Sequence, residues 1–185
     1  HVLLHHLRRS LGRADLIAFD RNRYRMAWEL GVRFDAAEFE ARATEALPAV
    51  RRDDEDEDAA RRLREALSLY RGDFLSGEDV GDWHLAPRDR LHRLYVDSLM
   101  ALGTRAQRLA LPGVAAEWYR RVIQVDPLNE GAHRRLMRTL ARAGQRGEAI
   151  LQFERLTALL RRELEATPER RTMELLDALR RGEAV

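Results

Sequence analysis

Apolar residues recur every three or four positions through most of this chain, and Gly and Pro interrupt them only at intervals. From Asp35 onward that period predicts amphipathic helices and no strands. Asp35 opens a segment running to about Leu47, with Phe39, Ala43 and Leu47 on one face. The acidic run Asp53–Asp58 leads into a second helix carrying Leu63, Ala66, Leu67 and Tyr70, ended by Gly72. Residues 72–87 hold Gly72, Gly77, Gly81 and Pro87 and read as a loop anchored by Trp83. A long helix follows from about Arg88 to Leu109, turning Leu91, Leu94, Tyr95, Leu99, Leu102 and Ala106 inward. Pro112-Gly113 breaks it, and further helices are expected at 114–125, 129–143 and 147–165. Thr167 reads as the N-cap of a last helix, with Pro168 tolerated in its first turn.

Two of these helix pairs repeat. A shift of 34 positions lays Gly113 on Gly147, Ala115 on Ala149 and Tyr119 on Phe153. It also lays Val122 on Leu156, Leu102 on Leu136 and Ala106 on Leu140. Thirty-four is the tetratricopeptide period. The small residue two places after the Gly lets helices cross closely, and the aromatic four further on fills the space between them. The pair 35–47 and 57–70 reads as a degenerate first repeat. One helix pair cannot bury its apolar face alone, so stacking of neighbours is expected.

The first thirty residues differ. Val2, Leu4, Leu7 and Leu11 share one side of a short helix ended by Gly12. Leu16–Phe19 and Tyr24–Met26 then read as two strands joined at Asp20–Arg23. A lone hairpin is marginal, so this piece needs other structure to hold it.

Composition narrows the chemistry. Among 185 residues there is no Cys and no Lys, so all 33 basic residues are Arg. Disulfides, thiolate metal sites, cysteine nucleophiles, the P-loop lysine and Schiff bases are thereby excluded. No Gly-rich phosphate loop, His-Glu-x-x-His or Gly-x-Ser-x-Gly occurs, and an enzyme is the least favoured class. His1 and His5 have metal-ligand spacing but no third ligand, so neither a metal nor a cofactor is implied. His84, His92 and His133 stand alone and read as surface residues. No apolar run approaches a membrane span and no leader opens the chain, which makes cytoplasm the expected compartment. The net charge of +2 hides a basic head, an acidic stretch over 33–58 and a moderately basic body.

Several blocks resemble a known family. The helix-hairpin HVLLHHLRRSLG…LIAFDRNRYRM is similar to the end of an OmpR/PhoB-type winged helix, meaning its recognition helix and wing. The blocks FDAAEFE, LYRGDFL at 69–75, DPLNEGAH at 126–133 and TPERRT resemble the bacterial transcriptional activator domain of SARP-type regulators. The resemblance implies two parts. Residues 1–30 would be the C-terminal part of a winged-helix DNA-binding domain. Residues 31–185 would be an all-α, tetratricopeptide-like activator domain. It further implies a regulator that binds promoter DNA, forms a homodimer and touches the transcription machinery or a regulatory protein. The family's winged helix has further helices and a small sheet before the recognition helix, so DNA binding would need residues upstream of His1.

On that reading His5, His6, Arg8 and Arg9 face the major groove, and Arg21 and Arg23 at the hairpin tip press on backbone or minor groove. Without it they are an exposed polar face. Arg134, Arg138 and Arg142 recur every four residues and are candidates for a ridge that meets DNA or an acidic patch of the transcription machinery, and so for a protein contact, although the simplest reading is a solvated face. Trp83, Trp118, Tyr95, Tyr119 and Phe153 sit where packing needs them, and Trp118 is the aromatic best placed to meet a peptide. The alternative function is a protein-interaction scaffold with no DNA binding of its own.

Overall fold

The computed structural model describes residues 2–52, 55–76 and 82–185, with backbone alone at residues 2, 3 and 28. Its described residues are mostly helical, with one two-stranded ribbon near the start. The head consists of α1 (Val2–Ser10), β1 (Ile17–Asp20) and β2 (Arg23–Met26). The strands are antiparallel, with Phe19 opposite Tyr24 and Asp20 opposite Arg23. Arg21 and Asn22 both take positive φ, 45° and 61°, which is the backbone a tight two-residue hairpin turn demands.

Seven helices follow: α2 (Asp35–Arg52), α3 (Glu57–Leu67), α4 (Leu85–Arg108), α5 (Pro112–Val125), α6 (Glu130–Arg142), α7 (Arg146–Leu164) and α8 (Arg170–Arg181). Helices α2 and α3, α4 and α5, and α6 and α7 pack as hairpins, while α4 lies on α2, α6 on α5, and α8 on α6 and α7. The starts are set by local chemistry. The Asp56 carboxylate accepts from Ala59 N–H at 2.7 Å, and Asn129 Oδ1 accepts from Ala132 N–H at 3.0 Å. Pro112 opens α5, where its missing N–H costs no hydrogen bond. Gly144 ends α6 at φ +78°, a left-handed turn that a side chain would strain.

The 34-residue period is a packing period. Ala115 and Ala149 are fully buried at equivalent crossings, as are Val122 and Leu156. One buried cluster joins α2, α3 and α4 with Val122 of α5 and Ala132 of α6, and a second joins α4, α5, α6, α7 and α8. Trp118 lies half-buried against both.

Four expectations change. Helix α2 does not end at Leu47 but runs through Pro48 to Arg52, because Val50 is also fully buried and rewards another turn. Helix α4 starts at Leu85, with Pro87 inside its first turn. Trp83 is 63% exposed and anchors no core, touching Phe74 edge-on at 6.3 Å. His84 and His133 are buried rather than on the surface. His133 Nε2–H donates to the Pro127 carbonyl at 3.0 Å, and Gln152 Nε2 donates to His133 Nδ1 at 2.7 Å. His1, Asp53, Asp54, Gly77 and Gly81 lie outside the described residues.

The last helix starts by a different device from the one expected. Thr167 does not cap it; α8 begins at Arg170, and its own N-cap side chain makes no bond to it. Glu130 at the start of α6 reaches across instead. Its carboxylate accepts Glu169 N–H at 3.0 Å and the Thr172 hydroxyl at 2.6 Å.

Candidate functional site

The head presents its basic residues unevenly. His5, His6 and Arg9 are exposed on α1, and Arg21 and Arg23 are exposed at the hairpin tip. Arg8 is turned inward and half-buried, and its Nη2 donates to the Ile17 carbonyl at 2.9 Å. It therefore ties α1 to β1. The expected apolar stripe of α1 leaves Leu7 at 48% and Leu11 at 36% exposed.

The block at 69–75 is a structural knot. Tyr70 stacks on Tyr95 of α4 at 4.1 Å, and its hydroxyl donates to Asp73 at 2.6 Å. Burial and the Asp73 carboxylate push the Tyr70 phenol well above its ordinary value. Arg88 then holds the turn by donating to the carbonyls of Phe74 and Leu75.

A groove of about 890 Å³ runs between α4, α6 and α8. It is built from the first helices of successive hairpins plus the terminal helix. Residues 131, 134, 135, 138 and 142 all line it, so one helical face of α6 forms its wall. Three of the expected residues meet here: Arg134, Arg138 and Arg142. Arg142 is exposed, as on a solvated face, whereas Arg134 keeps only 16% of its side chain exposed and Arg138 is half-buried. Arg134 Nη1 donates to Glu169 at 2.7 Å and to the Thr172 hydroxyl at 2.9 Å. Arg142 Nε donates to the Val185 carbonyl at 2.6 Å.

Arg135 and Arg171, which sequence reasoning did not single out, join the same groove. Arg135 belongs to the i, i+3, i+4 face and was findable from spacing. Arg171 comes from α8, and only packing brings it in. Burial pushes the Arg138 guanidinium below its ordinary value, and the charges of Arg134, Arg135 and Arg142 push it the same way. Trp118 is not in this groove. Its ring lies 4.9 Å from the Arg121 guanidinium, a cation–π contact elsewhere on the surface.

A polar thread sets the position of this wall. Tyr119 donates to Gln107 Oε1, Gln107 Nε2 donates to Thr139 Oγ1, and Thr139 donates to the Arg135 carbonyl, at 2.7, 2.7 and 2.8 Å. Gln107 itself lines the groove. Among the described residues no three His, Asp or Glu side chains are placed to hold a metal ion. No helix among them is long and apolar enough to cross a membrane.

Comparison with solved structures finds the same architecture elsewhere. Mycobacterium tuberculosis EmbR, solved in complex with a low affinity phosphopeptide, superposes with a TM-score of 0.68 at 18% identity. The match covers 100% of this chain and 50% of that one, so this chain spans about half the length of EmbR. The C-terminal TPR-containing domain of a Plasmodium falciparum FK506-binding protein superposes with a TM-score of 0.54 at 16% identity. That match covers 83% of this chain and 95% of that domain. No curated protein matches the sequence significantly. The profile of the bacterial transcriptional activator domain matches residues 34–180, from just before α2 into the last turn of α8, and the chain accordingly belongs to that family.

Proposed function

We propose that this chain is part of a transcription regulator in which a DNA-reading head is held by a helical docking domain. The observation that carries the reading is the order of parts. An exposed basic helix and a basic hairpin tip stand immediately before a bacterial transcriptional activator domain. That is the order of a recognition helix and a wing. His5, His6 and Arg9 would meet the major groove, and Arg21 and Arg23 the backbone or minor groove. Arg8 contributes by orienting α1 on the hairpin. The exposed Leu7 and Leu11 supply the apolar side on which further helices of a winged helix would sit. The helical domain would pair two copies of the regulator and present a surface to a protein of the transcription machinery. The action is binding, with no chemical step.

The test uses the full-length protein that carries this chain. A duplex selected from a random pool is titrated at several salt concentrations. The expected result is a steep salt slope, with Arg9→Ala and Arg23→Ala each lowering affinity and reducing the slope by about 1. Duplex binding that is absent, or indifferent to both arginines, would overturn the reading. A scaffold without DNA binding is the second reading, and the likeness to a TPR-containing domain favours it.

A further inference from the structure

We infer that the groove between α4, α6 and α8 is a binding site for an acidic peptide segment that also carries apolar side chains. This inference deepens the reading of the helical domain as a docking surface and is independent of whether the head reads DNA.

Three of the arginines lining the groove carry uncompensated charge. Five arginines line it, and the one carboxylate lining it, Glu174, is already paired with Arg170 at 2.6 Å. Arg134 is satisfied by Glu169 and Thr172. Among the described residues, the side chains of Arg135, Arg138 and Arg171 make no ion pair and no hydrogen bond within the chain. Arg138 is half-buried in the combined field of Arg134, Arg135 and Arg142. Charges of one sign lining a concave surface raise the local potential and attract a ligand of the other sign. A guanidinium there can take a carboxylate through two parallel hydrogen bonds.

The lining selects among anions. Met100 and Ala178, above the buried Leu175, put apolar surface beside the arginines. A nucleic-acid backbone gains nothing from that surface, whereas a peptide with Leu or Phe between its acids buries it. Its volume of about 890 Å³ is room for a few residues of an extended or helical segment.

The test is a titration of the whole chain with a fluorescent synthetic peptide of Glu and Leu. A peptide with Gln for every Glu and an unlabelled random DNA duplex serve as comparisons. One variant joins Arg135→Glu, Arg138→Glu and Arg171→Glu; a control of equal charge joins Arg155→Glu, Arg161→Glu and Arg162→Glu on α7. The groove variant is expected to lose about tenfold or more in affinity, while the control stays within about twofold and the Gln peptide fails to bind. Equal loss in both variants would reduce the effect to diffuse charge attraction and overturn the assignment. Displacement of the peptide by duplex at matched charge would also overturn it, as would no binding at all. Arg138→Gln alone is expected to raise Tm by ~1–3 °C, because it removes a half-buried charge from among like charges. A fall in Tm would show that the charge is compensated and would sink the argument. A protein that fails the DNA titration but passes this one leaves the groove standing, and the reverse result leaves only the head.

Discussion

Gly103 shows how far one residue can set a crossing. It sits in the middle of α4, where Gly costs about 1 kcal/mol relative to Ala. A Cβ at that point would meet the Tyr119 ring at 2.6 Å. Tyr119 is fully buried and its hydroxyl is committed to Gln107, so the ring has nowhere to go. Gly103→Ala is therefore expected to destabilise the chain by about 1–2 kcal/mol despite the better helix propensity. Thermal melting checks it, and a variant that melts higher than the parent would show that the ring can move aside. The residue was legible in principle. Shifted by 34, Gly103 and Tyr119 fall on Met137 and Phe153, so a small–large pair is exchanged for a larger companion and an aromatic that is only partly buried. The compensation is visible in the aligned repeats but does not name its cause without the packing.

At the scale of elements, α8 depends on α6 for its start. The Glu130 carboxylate takes the Glu169 N–H and the Thr172 hydroxyl, and Thr172 is fully buried. Removing that carboxylate leaves the exposed Glu169 N–H to water and takes the acceptor from the buried Thr172 hydroxyl, which still accepts from Arg134, at a cost of about 1–3 kcal/mol for the buried group. Glu130→Ala should accordingly lower Tm and release the amides of residues 169–173 to hydrogen exchange, while α2–α5 keep their protection. Uniform loss of protection along the chain would refute a local capping role. Local patterning reveals the helix but not this partner, because Thr167-Pro168 looks like a sufficient cap by itself. The same distinction explains the other boundary errors. The periodic faces of α4 to α7 are strong enough to place those helices from sequence. Pro48 breaks the pattern only until the buried Val50 beyond it is known, and Pro87 falls in the first turn of α4, where a missing N–H costs nothing. The burial of His133 is hidden for a related reason. A lone histidine carries no sign that Gln152 and the Pro127 carbonyl await it.

For the whole molecule, pH response separates into two windows. Buried His133 has its folded pKa below the ordinary histidine value, chiefly through burial. The unfolded chain then binds the extra proton first, so the stability His133 contributes is complete above about pH 6.5 and is lost as pH falls toward its folded pKa. Glu57, held down by hydrogen bonds from Arg64 and Arg105, acts at lower pH: its contribution is complete above the carboxylate range and is lost as pH falls through its lowered folded pKa. Between about pH 7.5 and 5.5 the loss should be up to ~1.4 kcal/mol per pH unit within the histidine window. It should be largely absent in His133→Gln, whose Tm is lower overall but flatter. A parental Tm that does not change over that interval would contradict the neutral, doubly bonded imidazole.

The groove and its supports divide the labour in a way that bears on how such a domain diversifies. Arg135, Arg138 and Arg171 hold no helix to another through their side chains, whereas Tyr119, Gln107, Thr139 and Glu130 do. Exchanging the three arginines leaves the joints intact, so descendants of one ancestral scaffold are free to change their clientele one surface residue at a time. Inheritance then constrains the threads between helices and leaves the lining to drift.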